Sequence, residues 1–558
     1  MESYKILFED ERALKWHHNE IAYVKGYGWY NGQYFEKESL LTFFSRIKSL
    51  NDLKNKLKYF NGCFAGCLLI KEVLYLFTDH VRSIPLFYNK LNKIVSDNTA
   101  FVELPKDEID EIAVAEVLKS TMYVCNDRTF SKYIRQVMAC SIVALSSDGT
   151  SDKIIYYQHI HSDYNEKDSY DQYLPEIYTL TNNVFKRMID SIGDQTIIVP
   201  LSGGYDSRFI VSELKELGCK NVVCYTYGFS DTTEETGISK SVANKLGYQH
   251  FWAKIDEAIW DEFFENPVAQ EFMNYDYFHC NLPHVQEIMA LIELRKNPAF
   301  PKTGVVIPGF CADIFGGSYT LSINQEQEYE YNIDLLTEFV FYKFFSVNKK
   351  FIQYNSEIKA DIKQFFQEGK YSVTNIREFD AAVESWFATH KIAQFILVCL
   401  KTYEFFGYTW RMPFWDKEII EYWYRIPMKY KQEESLYNYS LMEVWFKKYN
   451  IDYQKAKKKQ KIYIKKYKRK TYATIIYGII MWIYYKFGIM LYFSKDSNNF
   501  YYLCRLCYKK MYNKNQIQFC NITMFETLVL WWLEEQLSPN IIQNIMSKSE
   551  ERIDYGKD

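Results

Sequence analysis

A β-branched run in this chain ends in two glycines and an acid: Ile197-Ile198-Val199-Pro200-Leu201-Ser202-Gly203-Gly204-Tyr205-Asp206-Ser207-Arg208. Glycines let backbone approach an anion with no Cβ in the way, and free N–H groups at a helix start turn positive charge toward it. Leu201, Ser202, Gly203, Gly204 and Ser207 therefore suit a cradle for phosphate. Asp206 cannot bind phosphate directly. Its carboxylate suits Mg²⁺, a hard cation that takes oxygen from carboxylate and phosphate together.

Such a cradle needs a strand before it and a helix after it. Phe209, Ile210, Leu214 and Leu217 lie near helical spacing, and Gly218 supplies the expected stop. Val222 to Tyr227 predicts a second buried strand, which puts Tyr227 at its carboxyl end with the nucleotide-binding residues. Glu234 to Leu246 predicts a helix with Ile238, Val242 and Leu246 on one face, closed by Gly247. Strand and helix alternating in this way predict a doubly wound parallel α/β unit, with its ligand at the carboxyl ends of the strands.

The rest of the chain frames that unit. At 558 residues it exceeds one ordinary domain. Its 48% hydrophobic and 25% charged residues, with a formal net charge of −3, argue against long disorder and give no global attraction to nucleic acid. Met1 to Trp16 mixes charged and apolar residues and carries no signal-peptide core, so a cytoplasmic location is expected. Twelve scattered cysteines form no matched pairs at zinc-ligand spacing. The 49 Tyr and 40 Phe are spread along the chain, as core residues would be.

Three textures predict three modules: 1–165, 166–465 and 466–558. The first holds short β-rich runs (Cys63 to Ile70, Val73 to Thr78, Leu86 to Tyr88), as in a layered α+β sheet structure. The second is the α/β domain with helical elaborations. Between Lys455 and Lys470 stand ten Lys or Arg, followed by Tyr472 to Phe493, apolar and aromatic except for Lys486. Phe525 to Leu537 reads as an amphipathic helix.

Ser-Gly-Gly-x-Asp-Ser resembles the pyrophosphate loop of ATP pyrophosphatases, which cleave ATP between the α and β phosphates. A second stretch, Val306-Ile307-Pro308-Gly309-Phe310-Cys311-Ala312-Asp313-Ile314-Phe315-Gly316-Gly317, is similar to a glycine-rich segment of asparagine synthetases and β-lactam synthetases. The resemblance implies ATP and Mg²⁺ as cofactors. It makes Asp313 the second magnesium carboxylate beside Asp206 and adds Gly309 to the ATP site. Arg411-Met412-Pro413-Phe414-Trp415-Asp416 resembles a further segment of that family, and Lys458-Lys459-Gln460 its catalytic-lysine ending, with Lys458 the match. A lysine suits a departing pyrophosphate because it puts positive charge where negative charge develops.

The amino-terminal module resembles the family's glutaminase domain through Gly62-Cys63-Phe64-Ala65-Gly66, through Thr78 to Tyr88, and through Ser96-Asp97. That domain normally carries a cysteine directly after the initiator methionine; Glu2 stands there instead, so no glutaminase activity is expected. Phe310 replaces a glutamate that the family uses near the incoming amine, and phenylalanine is no base. The resemblance implies an AMP-forming ligase that joins ammonia or an amine to a small-molecule or glycan carboxylate. An intramolecular amide cyclase of the lasso-peptide kind and an ATP-binding pseudoenzyme are the alternatives. The polybasic and aromatic stretch 455–493 adds the expectation of peripheral contact with the inner face of the membrane.

Overall fold

In the computed structural model, residues 4–8, 12–101, 108–120, 122–161, 163–275, 280–310, 312, 317, 330–346, 351–451, 500–513 and 524–537 are described. Glu2, Asp313, Lys458 and the stretch 455–493 lie outside them.

The amino-terminal strands are β1 (Lys5–Leu7), β2 (His17–His18), β3 (Ala22–Tyr30), β4 (Gln33–Glu36), β5 (Asn61–Ile70), β6 (Val73–Thr78), β7 (Phe87–Asn89), β8 (Ile94–Ser96), β9 (Ile134–Gln136), β10 (Ser141–Leu145) and β11 (Ser151–Ile155). They build a seven-stranded antiparallel sheet, β11-β10-β6-β5-β3-β2 with β4 on β3, and a four-stranded sheet, β1-β8-β7-β9. Side chains on a strand alternate between faces. Along β5, Cys63, Ala65 and Cys67 face the core shared with Phe87, Val95 and Ile134 of the smaller sheet. Phe64 and Leu68 face the other way, onto Leu40, Phe44, Leu53 and Leu57 of helices α1 (Lys37–Ser45) and α2 (Leu50–Tyr59). The expected layered arrangement is therefore helices, sheet, sheet. Burial pushes the thiols of Cys63 and Cys67 up, which fits packing rather than reactive cysteines.

Past α3 (Glu111–Ser120) and α4 (Leu174–Ile192), the chain forms a mixed α/β domain around a five-stranded, wholly parallel sheet. Its strands are β12 (Ile197–Pro200), β13 (Val222–Gly228), β14 (Gln249–Lys254), β15 (Val305–Val306) and β16 (Thr409–Trp410), in the order β14-β13-β12-β15-β16. Helix α5 (Tyr205–Glu216) links β12 to β13, and α6 (Glu234–Leu246) links β13 to β14. The glycine stops predicted from sequence hold: Gly218 and Gly247 both take left-handed φ of 76°, and Gly218 donates to the Lys215 carbonyl at 3.0 Å.

The carboxyl-terminal helices correct one expectation. In the helix Met524–Gln536, every side chain from Thr527 to Glu534 is buried, so this segment is not amphipathic. It lies against the helix Phe500–Asn513 and α3, with Trp531 on Phe263 and Phe264 and Trp532 on Phe130. Neighbours on several sides leave no face for water. No helix among the described residues is long and apolar enough to cross a membrane.

Candidate functional site

Chain order in the parallel sheet runs outward from β12 through β13 to β14, then returns to the other side of β12 as β15. Right-handed crossovers put α5 and α6 on one face and the long return on the opposite one. The loops leaving β12 and β15 therefore start side by side at the switch point of the sheet, the place where ligands bind in open α/β sheets. Ser202 to Ser207 leaves β12 there, and Ile307 to Phe310 leaves β15 there.

Inside the loop, two hydroxyls set the turn. Ser202 Oγ accepts from the Gly204 amide at 3.0 Å, and Ser207 Oγ accepts from the Ser202 amide at 3.1 Å while lying 3.1 Å from Ser202 Oγ. Leu201 is fixed to the neighbouring strand by its amide, which donates to the Tyr225 carbonyl at 2.8 Å. Gly204 is the N-cap of α5 and supplies no side-chain cap. A helix start without a cap from its own N-cap residue is the kind of place that suits an anion.

Gly309 shows why glycine is required beside this turn. A Cβ there would stand 2.9 Å from the Ser207 amide nitrogen and 3.1 Å from its Cα. Gly309→Val forces the two loops apart; the expected outcome is loss of nucleotide binding by tenfold or more in a chain that keeps its circular dichroism, read by equilibrium dialysis with ATP. Retained affinity would separate Gly309 from the site.

Asp206 sits in the first turn of α5, half-buried, where its Oδ1 accepts the Tyr437 hydroxyl at 3.0 Å. Tyr227 closes β13, half-buried, at the same end of the sheet. The structure thus brings Leu201, Ser202, Gly203, Gly204, Asp206, Ser207, Tyr227 and Gly309 to one end of the parallel sheet. A carboxylate in the first turn of a helix that starts behind two glycines fits a hard cation whose remaining oxygens come from phosphate. Among the described residues no group of three His, Cys, Asp or Glu could hold a metal by itself.

Three site residues were not predicted from sequence. Arg208 is wholly buried beneath the loop and donates to the carbonyls of Gly203 (3.2 Å), Gly204 (3.2 Å) and Ile451 (3.0 Å), with its guanidinium over the rings of Tyr205 and Phe446. It bolts the glycine loop to the segment that ends at Ile451. Tyr437 holds the Asp206 carboxylate. Glu213, further along α5, accepts from Trp445 Nε1 at 2.6 Å. The acid in Asp-Ser-Arg and its buried arginine neighbour were in plain view, but nothing local marks partners more than 200 residues away.

Burial raises the Glu213 carboxyl to about 7. An acid whose folded pKa lies above its unfolded value keeps a proton that the unfolded chain releases, so stability falls as pH rises from about 4.5 to about 7. Glu213→Gln is expected to flatten that part of the pH–stability curve, measured by thermal unfolding; an unchanged slope would show that Glu213 is not its source.

The segment Arg411 to Asp416 has a different role from the loop. Arg411 lies 4.2 Å over the Tyr27 ring and donates to Tyr34 Oη at 2.8 Å. Asp416 accepts from Asn61 at 3.0 Å and pairs with Arg187 at 2.5 Å. These residues join the amino-terminal layers to the parallel-sheet domain.

No family model matches the sequence, and no curated protein matches it. Solved structures that it resembles include an NH3-dependent NAD synthetase from Campylobacter jejuni subsp. jejuni NCTC 11168, in complex with the nitrate ion, at 12% identity and a TM-score of 0.19, over 37% of this chain and 96% of that one. Another is the allosteric regulatory enzyme of purine biosynthesis, at 11% identity and a TM-score of 0.17, over 44% of this chain and 64% of that one. TM-scores this low leave the functional reading to the geometry of the loop itself.

Proposed function

We propose that the chain is an AMP-forming amide ligase of the asparagine-synthetase kind that uses ATP and Mg²⁺. The observation that carries this reading is the start of α5 behind Ser202-Gly203-Gly204, with Asp206 in its first turn and Gly309 packed beside it, at the carboxyl ends of β12 and β15. The start of α5 would receive the pyrophosphate, and Asp206 would hold Mg²⁺, which would supply neutralising charge as the pyrophosphate departs. A substrate carboxylate oxygen attacks the α-phosphorus, the bond from that phosphorus to the bridging oxygen breaks, and pyrophosphate leaves with the electron pair. An amine then attacks the acyl carbon, AMP departs with the other pair, and the ammonium proton goes to solvent or to a group of the acceptor, since Phe310 is no base.

Chain reach supports the remaining two residues. Asp313 is four residues beyond Gly309, within about 14 Å of it, and Lys458 is seven beyond the anchored Ile451, within about 25 Å. Ammonia or a free amine is the nitrogen source, because Glu2 offers no thiol. The amine acceptor is a small-molecule or glycan carboxylate. The ten basic residues between Lys455 and Lys470, with the aromatic run after them, support a peripheral contact with anionic lipid.

Incubating the full chain with ATP, Mg²⁺, ammonia or amines and a panel of carboxylates tests the reading. Equimolar AMP and pyrophosphate that depend on the carboxylate are expected. ADP release would overturn it, and tight ATP binding with no turnover across the panel would favour the pseudoenzyme.

A further inference from the structure

The segment Glu433–Ile451 runs against α5 from the first turn of that helix to its last. Tyr437, in the helix Ser435–Ser440, donates its hydroxyl to Asp206 Oδ1 at 3.0 Å. Phe446 sets its ring against Tyr205, with 5.8 Å between centroids, and against the Arg208 guanidinium. Trp445 Nε1 donates to Glu213 at 2.6 Å, and Lys448 pairs with Glu216 at 2.5 Å. The Ile451 carbonyl closes the course by accepting from Arg208.

Two backbone features produce this course, and neither is ordinary. Glu433 and Glu434 both have left-handed φ, +54° and +58°, directly before the helix that carries Tyr437. Residues other than glycine visit that region singly, so two in succession make a strained start to a helix. Beyond Ser440 the helix widens. The Lys447 amide donates to the Met442 carbonyl at 3.1 Å and the Ile451 amide to the Phe446 carbonyl at 2.9 Å, each five residues back, as in a π-helix. An α-helical residue turns by about 100°, so on an unbroken α-helix Phe446 would stand on roughly the opposite side from Tyr437. The wide turn brings Phe446 back toward the side that carries Tyr437, and both reach α5.

Strained turns and π-turns persist where surrounding contacts hold them, and they gather at functional sites. Here they hold a phenol against the acid beside the glycine loop. The buried Tyr437 ring meets Trp423 at 5.8 Å and Phe209 at 6.4 Å between centroids, both edge-on, so its hydroxyl is fixed from behind. Asp206 is half-buried, and without a fixed donor its short side chain could take several rotamers.

We propose that Tyr437 is a positioning residue: its hydroxyl sets the orientation of the Asp206 carboxylate toward a divalent cation bound with the nucleotide, and the segment Glu433–Ile451 is the brace that keeps the hydroxyl there. This role rests on the reading of Asp206 as a cation ligand. Groups that hydrogen-bond a ligating side chain from outside typically account for about ten- to a hundredfold in metal affinity.

The test is ATP affinity of the full chain by equilibrium dialysis, with Mg²⁺ and with EDTA, in the parent and in Tyr437→Phe. The variant keeps the ring between Trp423 and Phe209 and loses only the hydroxyl. The parent is expected to bind ATP more tightly with Mg²⁺. Tyr437→Phe should lose about tenfold in Mg²⁺ and less than about twofold in EDTA, because the hydroxyl acts through the metal carboxylate. With Mn²⁺ in place of Mg²⁺, the paramagnetic resonance spectrum of the ATP complex should differ between parent and variant, which a purely structural role would not bring about. Equal losses with Mg²⁺ and EDTA would assign Tyr437 to the shape of the loop and overturn the proposal, as would unchanged affinity in Mg²⁺. A parent that gains no affinity from Mg²⁺ would overturn the cation role of Asp206 itself, and the role of Tyr437 with it.

Discussion

Asp206→Ala is expected to abolish AMP formation, with a loss of a hundredfold or more in rate, while the unfolding midpoint stays near that of the parent. The carboxylate acts through the cation it would hold, and a metal that neutralises transition-state charge is worth several kcal/mol. Stability should hold because Asp206 is half-buried in an end turn of the helix rather than in the core. Asp206→Asn is the sharper control: it keeps an acceptor for the Tyr437 hydroxyl and removes only the charge. If Asp206→Asn turns over ATP like the parent, the aspartate serves the turn and no metal.

The largest stability effect belongs to Lys25→Met. Lys25 and Glu404 are both buried, 3.0 Å apart, and join β3 to the helix that precedes β16. Removing Lys25 leaves Glu404 with Lys401 as its remaining described cation and takes a cation from Asp97 4.0 Å away, so the loss is expected to approach the roughly 3–5 kcal/mol of a broken buried pair without exceeding it. Burial alone would raise the Glu404 carboxyl, but Lys25 and Lys401 override it and hold it below the ordinary value. An acid with a depressed folded pKa contributes stability above its unfolded pKa and loses it as pH falls through the folded one. The deficit of Lys25→Met is therefore expected to be largest at neutral pH and to narrow in acid, where Glu404 takes a proton. Lys25→Met combined with Glu404→Gln should lose less than the sum of the two single variants, because the two charges that face each other at 3.0 Å go together. Additive losses in the double variant would mean that the two side chains act separately.

Phe310 marks the limit of what the resemblance offers. It is half-buried and packs against the main core, continuing the strand exit rather than presenting a polar group to the crevice. A ligase built on this loop must take its proton acceptor from elsewhere, which makes the carboxylate panel more informative than any further comparison of residues.

Strand, glycine turn and helix from Ile197 to Gly218 were legible in sequence, as were Val222 to Tyr227 and Glu234 to Gly247. Their signals are local: glycine takes the left-handed stop at Gly218 and Gly247 without steric cost, and a residue without Cβ lets Gly203 lie close against Glu235. The β-rich run Cys63 to Ile70 was equally plain, because a strand buried on both faces needs apolar residues at successive positions. Tertiary structure alone decided the rest. It set Gly309 against Ser207, Tyr437 on Asp206 and Arg208 under the Ile451 carbonyl, contacts joining residues 102 to 243 positions apart. It turned Arg411 and Asp416 to the junction with the amino-terminal layers and enclosed Thr527 to Glu534 on all sides. Residue type and spacing fix what a short segment can do; which distant segment it meets depends on how several faces pack at once, and that information is not carried by any one stretch of the chain.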